Sequence, residues 1–518
     1  MRNKQSIKKT LPVLCLIAIL ILSAFIYFYN LGKESLTTDE YFSLHLAQQL
    51  LPNIILQHRG ESNPNTIPPL YDIIMHFWLK VFGTSEFAQR SFSALLGILS
   101  VYLIYEFARL LFDMRTGLLS ALFGALSYSW FYFFRMNRCY GLLIFLTLLS
   151  LYVFFYYIKN KNYQFPLFIL TLINVALIYT HYFSFLVIAV EVLLSIFEWK
   201  RNRLLVRDIF LMCFWIALAF MPYCSDLWYD LGKEPVLSHN PPYVSGATQL
   251  SRLIFILFSP FHVRWNPVLT VLYLPFIVFG FIKLAKERTE DFPGRLLYLS
   301  VILIVPFTFI YLITHSDRMR YYTPFSFPLL MVLAFGVQKL YVSRLKKLII
   351  LPAAAICIAS FNFVDFYDFF RNPLYENWKG AAQYIKGIPD YQNREMVFIF
   401  QTRYNPPVFS YYYWNSGIAS ALVDNIANYK SYDKDFLALN TKHKVYWMGD
   451  AMGIGEFFAI LDLFPDNAWI WVFRYRDKFF RSDFRKNNNG RYFLHQIILN
   501  KELPQIDFYL IKRIKQEG

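Results

Sequence analysis

The sequence predicts a polytopic α-helical membrane protein with a C-terminal α/β domain. Of its 518 residues, 56% are hydrophobic and only 17% are charged, and the mean hydropathy of +0.35 is far above that of soluble domains. Stretches of about 20 apolar residues recur along the first two thirds, and each is long enough to cross a hydrocarbon core of about 30 Å. The last third is more polar and favours a soluble domain. Its short β-rich runs lie at 396–400, 444–448, 468–473 and 507–511.

The apolar stretches predict about eleven transmembrane helices. The first, at 11–29, is too long for the apolar part of a signal peptide, and no small-residue cleavage site follows it, so we expect an uncleaved span. The segment 251–262 is short and ends at Pro260, which leaves crossing and interfacial placement both open. The other spans are expected near 91–111, 117–134, 140–158, 165–180, 183–198, 209–224, 268–284, 296–313, 323–341 and 348–363.

The positions of basic residues predict the orientation of these spans. Lysine and arginine are concentrated in alternate short loops, for example at 200–207 and 344–347, which the positive-inside rule assigns to the cytoplasm together with the N-terminus. The first loop, 31–88, then faces outward. We therefore expect a transmembrane domain, 1–364, and an extracytoplasmic α/β domain, 365–518. The net charge of +16 mainly reflects this topology and does not indicate nucleic-acid binding.

Two adjacent carboxylates, Asp39 and Glu40, follow the first span, close to the lipid headgroups. A positioned carboxylate takes the proton from a hydroxyl or amine, and one such base suffices for inverting sugar transfer when the leaving group is already a phosphate. The alternative is structural, because Thr38 or Asp39 before an apolar run is a normal helix N-cap. The residues alone leave both interpretations open.

Arginines occur at outward span ends, against the positive-inside trend. Arg135 and Arg138 form one group, and Arg318 and Arg320 form another. The planar donor fork of arginine suits a phosphate, and lipid phosphates lie at this depth. Each arginine alone is also explained by contact with headgroups or by pairing with Asp317. Two clusters on one face favour a phosphate-binding role.

Other candidate chemistry has weaker signals. His181 follows a span end and is either a satisfied interfacial histidine or a hydrogen-bonding partner of a substrate. No P-loop or GxGxxG motif occurs, which argues against a soluble nucleotide-sugar donor. A metal or other cofactor is not favoured, because the potential ligands of the first loop lack ligand spacing such as HxxxH; they are Asp39, Glu40, His58, Glu61 and His76.

Several short motifs also occur in an order typical of one family. They are TDEY at 38–41, PPLY at 68–71, FGTSEFAQR at 82–90, RCY at 138–140, YTHY at 179–182 and RY at 320–321. Together they resemble the GT-C glycosyltransferases of the protein O-mannosyltransferase and aminoarabinose (ArnT-like) transferase superfamily, of the bacterial family 39 type, which use polyprenyl-phosphate sugars. The chain departs from this pattern at Ile67, where relatives commonly have histidine or lysine; His58, Arg59 and Asn65 are candidate replacements. Arg135 stands where many relatives have glutamine.

The resemblance implies roles for particular residues. Asp39 is expected to be the general base with Glu40 beside it, and Tyr71 and His181 are expected in the substrate pocket. The donor phosphate and lipid are expected to contact Arg138, Tyr140, Arg320, Tyr321, Arg135 and Arg59. The implied partners are a polyprenyl-phosphate sugar, an acceptor of the cell envelope (glycolipid, polysaccharide or protein) and the lipid bilayer, in a bacterial inner membrane.

Two other classes of function fit a polytopic chain. A transporter or lipid flippase also has many spans, but here charged residues are sparse near span centres and gather at outer span ends, which suits interfacial chemistry better. A non-catalytic assembly protein, in which 365–518 binds a partner, predicts that Asp39→Asn is silent.

Overall fold

The computed structural model describes residues 2–59, 67–160, 165–232, 267–287, 294–314, 319–342, 377–389, 391–393, 395–400, 405–413, 437–438, 443–447, 458, 461, 468–475, 492–497 and 506–513. The chain forms two compact units. The first comprises Met1–Leu31 and Gln49–Tyr367, and the second comprises Gly32–Gln48 and Asp368–Gly518. The segment Gly32–Gln48, expected within the transmembrane domain, is therefore part of the second unit. The predicted boundary at 364/365 lies outside the described residues.

Helices dominate the described part of the first unit. In chain order through both units, the helices are α1 (Arg2–Phe28), α2 (Thr38–Ala47), α3 (Leu51–Gln57), α4 (Leu70–Phe82), α5 (Glu86–Leu111), α6 (Met114–Leu126), α7 (Tyr128–Phe134), α8 (Tyr140–Lys159), α9 (Phe165–Ile178), α10 (Phe185–Phe197), α11 (Arg203–Phe220), α12 (Cys224–Gly232), α13 (Pro267–Lys286), α14 (Arg295–Thr314), α15 (Met319–Tyr322), α16 (Phe327–Val342), α17 (Trp378–Lys386) and α18 (Asn405–Tyr413). Of these, α2, α17 and α18 belong to the second unit.

The chain is a multi-pass membrane protein. Within the described ranges, five helices are long and apolar enough to cross a membrane, or up to seven if each of two bent helix pairs is one span. The count of eleven stays a prediction, because the expected span at 348–363 and the segment 251–262 lie outside the described residues. The expected spans at 91–111 and 140–158 coincide with α5 and α8.

Two bends place the predicted arginines. Helices α6 and α7 meet at 59° and the segments 319–325 and 327–340 meet at 51°. The first bend lies at Ser127, whose extended backbone interrupts the helix. The second follows a 3₁₀ turn, Thr323–Phe325, whose Pro324 provides no N–H to continue a helical ladder. Arg135 directly follows the C-terminal end of α7, and Arg320 lies in α15. One arginine group is therefore associated with each bent helix pair.

Helices α13 and α16 pack backbone against backbone. A Cβ atom on Gly280 would lie 2.5 Å from the carbonyl oxygen of Val332, and one on Gly336 would overlap the carbonyl oxygen of Phe276. Small residues at a helix contact permit this approach, which is a common way for membrane helices to associate. The two glycines therefore stabilise the α13–α16 pair.

The second unit contains a mixed six-stranded sheet. Its strands are β1 (Met396–Phe400), β2 (Leu437–Ala438), β3 (His443–Trp447), β4 (Trp469–Tyr475), β5 (Tyr492–Ile497) and β6 (Ile506–Arg513). The spatial order is β2-β3-β1-β4-β6-β5. Strand β1 pairs in parallel with β3 and β4, and the other pairs are antiparallel. The β-rich runs predicted at 396–400, 444–448, 468–473 and 507–511 coincide with β1, β3, β4 and β6.

The two faces of this sheet have separate cores, because successive side chains of a strand point to opposite faces. On one face, Trp378 of α17 contacts Phe400 and Phe473, with ring centroids 6.1 and 5.8 Å away. On the other face, Val397 and Ile470 belong to a separate buried hydrophobic cluster. The first core holds α17 and α18 against the sheet, and α18 in turn contacts the segment that carries Asp39.

Candidate active site

The start of α2 is fixed by a capping box. Thr37 is the N-cap, and its Oγ1 accepts a hydrogen bond from the backbone N–H of Glu40 at 3.2 Å. The backbone N–H of Thr37 donates in return to Oε2 of Glu40 at 3.0 Å. The prediction of Thr38 or Asp39 as the N-cap is therefore wrong by one or two positions. Thr37 is the cap because Glu40, three residues later, completes the reciprocal pair of hydrogen bonds. Glu40 is fully buried, whereas Asp39 is exposed.

Helix α18 holds this segment within the second unit. The backbone N–H of Leu36 donates to Oη of Tyr412 at 2.7 Å, and the rings of Tyr41 and Tyr411 lie 5.5 Å apart. The cap and these two contacts fix the first turn of α2 on both sides of Asp39. The side chain of Asp39 thus extends from a rigid helix start, as a positioned base requires.

In the first unit, five of the predicted residues form a group that we name the arginine cluster: Arg138, Tyr140, His181, Arg320 and Tyr321. The guanidinium carbon of Arg320 lies 5.5 Å from the ring centroid of Tyr140 and 5.1 Å from that of Tyr321. The ring of His181 lies 6.3 Å from that of Tyr140 and 5.9 Å from that of Tyr321. Arg138 is 5% exposed. Residues from three separate regions of the sequence thus meet at the N-terminal end of α8.

The surroundings of His181 keep it uncharged. Burial, followed by the positive charges of Arg320 and Arg138, lowers the pKa of His181 to about 3. The backbone N–H of Phe183 donates to Nδ1 of His181 at 3.1 Å, so in the neutral ring the proton is on Nε2. His181 can therefore donate a hydrogen bond from Nε2 to an anionic oxygen held by the two arginines.

Tyr71 anchors α4 beside the arginine cluster. Its Oη donates to Oδ1 of Asn137 at 2.9 Å, and Nδ2 of Asn137 donates to Oε1 of Gln89 at 3.0 Å. The preceding residue, Leu70, donates its N–H to the carbonyl of Tyr179 at 3.0 Å. Burial raises the pKa of Tyr71 well above its ordinary value, so the phenol stays protonated. Its expected place in the substrate pocket stays a prediction.

Arg135 has contacts that the sequence did not indicate. Its Nη1 donates to the carbonyl oxygens of Ile26, Tyr27 and Tyr29, at 3.2, 3.0 and 2.7 Å. Two of these carbonyls belong to the last turn of α1 and the third to the residue after its end. A cation there satisfies hydrogen-bond acceptors and interacts favourably with the helix dipole. Arg135 thus caps the first helix, while its expected phosphate contact stays a prediction.

Arg59 lies against a different part of the first unit. Its Nη2 donates to the carbonyl of Pro222 at 3.3 Å, and its guanidinium carbon lies 5.2 Å from the ring centroid of Tyr223. The carboxylate of Asp226 is 3.9 Å from its Nε. These contacts hold Arg59 against the end of α11 and the start of α12. Its expected contact with the donor phosphate and lipid stays a prediction.

His58 is a candidate to replace the histidine or lysine that relatives commonly have at position 67. It pairs with Asp72, which no sequence pattern indicated. Its Nδ1 lies 2.7 Å from the carbonyl of Ile67, and its Nε2 lies 2.9 Å from Oδ2 of Asp72. A single aspartate at the start of an apolar helix is more often a favourable N-terminal charge than a site, so no sequence signal selected Asp72. Among the described residues, no group of three or more His, Cys, Asp or Glu side chains could hold a metal ion.

A known family matches the part of the chain that contains most of these residues. Residues 66–225 match the family model described as dolichyl-phosphate-mannose-protein mannosyltransferase. The resemblance to the GT-C superfamily is confirmed. The matched range contains Tyr71, Arg138, Tyr140 and His181, so most of the arginine cluster lies within the part that resembles these GT-C enzymes.

Solved structures show the GT-C fold over most of the chain. The Archaeoglobus fulgidus oligosaccharyltransferase in the apo form matches 90% of this chain and 69% of its own, with a TM-score of 0.55 and 11% identity. ArnT from Cupriavidus metallidurans bound to undecaprenyl phosphate matches 95% of this chain and 97% of its own, with a TM-score of 0.50 and 12% identity. At such identities the likeness concerns the fold.

A curated relative matches a shorter region. An uncharacterized protein of Aquifex aeolicus (strain VF5) is 33% identical over 155 residues, which is 29% of this chain. The matched part spans 30% of that relative's length. This likeness therefore adds no information on activity.

Proposed function

We propose that the chain is an inverting glycosyltransferase that moves a sugar from a polyprenyl-phosphate donor to an acceptor of the cell envelope. The observation that carries this proposal is the arginine cluster in a GT-C fold: the buried guanidinium group of Arg138 and the half-buried one of Arg320 lie with Tyr140, His181 and Tyr321. Two neighbouring cations with little exposure to water favour an anionic ligand, and a guanidinium binds phosphate oxygens through paired donors. The ArnT structure with undecaprenyl phosphate supports a lipid phosphate as that ligand.

The proposed reaction is a single displacement at the anomeric carbon of the donor sugar. Asp39 takes the proton from the acceptor hydroxyl or amine as the acceptor atom bonds to that carbon. The bond from the anomeric carbon to the phosphate oxygen breaks, and its electron pair leaves with the polyprenyl phosphate. Attack opposite the leaving group inverts the anomeric configuration. The two arginines, with Nε2–H of His181, stabilise the charge that develops on the departing phosphate.

We place this reaction at the outer face of a bacterial inner membrane. The positive-inside rule assigns Asp39 and residues 365–518 to the extracytoplasmic side. Glu40 supports the reaction by fixing the first turn of α2, and a chemical role for Glu40 is kept as an alternative. The donor sugar is a hexose or pentose, and the acceptor is a glycolipid, a polysaccharide or a protein.

The test is transfer of label from radioactive polyprenyl-phosphate sugars to membrane lipids and proteins, by purified protein reconstituted in vesicles. General-base catalysis contributes about 10²–10⁴-fold, so Asp39→Asn is expected to reduce the transfer rate by at least about 10²-fold. Glu86→Gln is the matched control, because it also removes one carboxylate from the first turn of a helix, α5, and it is expected to retain the wild-type rate.

Either of two outcomes would contradict the proposal. Equal rates for Asp39→Asn and wild type would remove Asp39 as the base. Failure of the folded wild-type protein to transfer label from a panel of hexose and pentose donors would reject glycosyl transfer and favour a transporter or flippase.

A further inference from the structure

His58 and Asp72 form a buried pair whose geometry fixes the carboxyl group. Nδ1 of His58 faces the carbonyl of Ile67 at 2.7 Å, and a carbonyl only accepts, so Nδ1 carries a proton. Nε2 of His58 faces Oδ2 of Asp72 at 2.9 Å. The two side chains are 1% and 8% exposed. The pair therefore shares a hydrogen bond away from water, and this bond orients the Asp72 carboxyl group.

The second oxygen of Asp72 is the unusual feature. Its Oδ1 is buried and has no hydrogen-bond partner in the described part of the chain. A buried carboxylate oxygen without a hydrogen bond is unfavourable, so Oδ1 needs a donor from outside the described residues, either a ligand or an ordered water. Oδ1 is thus a fixed acceptor.

Asp72 lies beside the arginine cluster. Burial is the main cause that raises the pKa values of Tyr71 and Cys139; the negative charge of Asp72 adds to this rise, and the positive charge of Arg138 opposes it at both residues. Asp72 and Arg138 therefore both lie close enough to Tyr71 and Cys139 to influence the pKa values of these two residues. Tyr71, adjacent to Asp72, also donates to Asn137, which is adjacent to Arg138. An anion on Arg138 would bring its nearest substituent towards the Asp72 carboxyl group.

We propose that Asp72 is a donor-sugar-binding residue, and that Oδ1 accepts a hydrogen bond from a hydroxyl or amino group on the sugar whose phosphate Arg138 binds. The sugar is joined directly to this phosphate, so its polar groups enter with it. His58 acts as a positioning residue, because its ring holds Oδ2 and leaves Oδ1 for the ligand. This inference rests on the proposed function and adds to it a specificity for sugars with a free hydrogen-bond donor near the phosphate.

The experiment compares two ligands that differ only in the sugar. Binding of polyprenyl phosphate and of a polyprenyl-phosphate sugar is measured for wild type, Asp72→Asn and Arg138→Gln, purified in detergent. Asp72→Asn is expected to weaken binding of the sugar-bearing ligand by about 10-fold, because a neutral amide replaces the carboxylate and the charge assistance of the hydrogen bond is lost. Its affinity for polyprenyl phosphate is expected to be unchanged. Arg138→Gln is expected to weaken binding of both ligands.

Asp208→Asn is the matched control. Asp208 is also buried in the first unit: the whole residue is 8% exposed, against 6% for the whole of Asp72. Its Oδ2 accepts a hydrogen bond from Tyr157 at 2.6 Å. The same chemical change at Asp208, in a helix turn near the predicted cytoplasmic loop 200–207, is expected to leave both affinities unchanged. A loss in Asp72→Asn that Asp208→Asn also shows would overturn the inference.

The remaining outcomes separate the inference from the proposed function. Equal weakening of both ligands by Asp72→Asn would make Asp72 a structural residue and overturn the inference alone. Wild-type affinity of Arg138→Gln for polyprenyl phosphate would contradict the phosphate site itself. If Asp72→Asn does not fold, Asp72→Glu replaces it, because the longer side chain keeps the charge but displaces Oδ1. For Asp72→Glu, weaker binding of the sugar-bearing ligand alone is again expected. An unchanged preference for the sugar-bearing ligand over polyprenyl phosphate would overturn the inference.

Discussion

His181 shows how a single residue acquires its properties from its neighbours. Its pKa is about 3 in the folded protein and about 6.5 in the unfolded chain. Between these values the unfolded state binds a proton that the folded state does not, so stability is retained above pH 6.5 and falls as the pH decreases towards 3. The expected loss is at most about 1.4 kcal/mol per pH unit in this window.

Thermal unfolding in detergent between pH 4 and pH 8 measures this effect. His181→Gln removes the titrating group, so its unfolding temperature is expected to depend less steeply on pH than that of wild type below pH 6.5. Identical slopes for the two proteins would show that His181 is not held neutral by burial and the two arginines.

At the same scale, the sequence predicted some contacts and not others. Arg138 and Arg320 could be selected because arginines at outward span ends depart from the positive-inside trend. The contacts of Arg135 with α1 could not be predicted, since they depend on which helix terminus lies beside it, 106 to 109 residues away in sequence. Asp72 was missed for a similar reason: its partner His58 lies 14 residues earlier in the sequence, and no spacing rule connects the two.

At the scale of elements, substitutions of Glu40 in the first turn of α2 distinguish a stabilising role of this residue from a catalytic one. Glu40→Ala removes the hydrogen bonds that Oε2 of Glu40 accepts from Thr37, whereas Oγ1 of Thr37 still accepts from the backbone N–H of residue 40. Loss of this half of the capping box is expected to cost about 1 kcal/mol. Glu40→Gln keeps an acceptor at the same place, so it is expected to retain most of this stability and also the transfer rate. Chemical denaturation and the transfer assay measure the two effects. A folded Glu40→Gln protein without activity would instead assign Glu40 a chemical role.

The elements were predictable where composition alone decides them. Long apolar runs such as α5 and α8 follow directly from the needs of a membrane core. The bend at Ser127 was not foreseen, because the apolar run continues through it. Strands β2 and β5 were also missed: β2 has only two residues, and β5 includes polar positions such as His495 and Gln496. Their place in the sheet depends on pairing with β3 and β6 rather than on local sequence.

At the scale of the whole molecule, the second unit constrains the topology. It combines Gly32–Gln48, which follows the first helix, with residues near the end of the chain. A compact unit lies on one side of the membrane, so the chain crosses the membrane an even number of times between these two parts. The predicted arrangement satisfies this condition, since ten of the eleven expected spans lie between residue 48 and residue 368.

Cysteine labelling in intact cells tests this topology. In a protein whose five native cysteines are replaced by serine or alanine, Lys33→Cys and Gln392→Cys are expected to react with a membrane-impermeant maleimide from outside, because both lie at exposed positions of the second unit. Lys200→Cys, in the predicted cytoplasmic loop, is the matched control and is expected to react only after permeabilisation. Opposite labelling of positions 33 and 392 would show an odd number of crossings between them. Labelling of both only after permeabilisation would place Asp39 in the cytoplasm, away from a donor presented at the outer face.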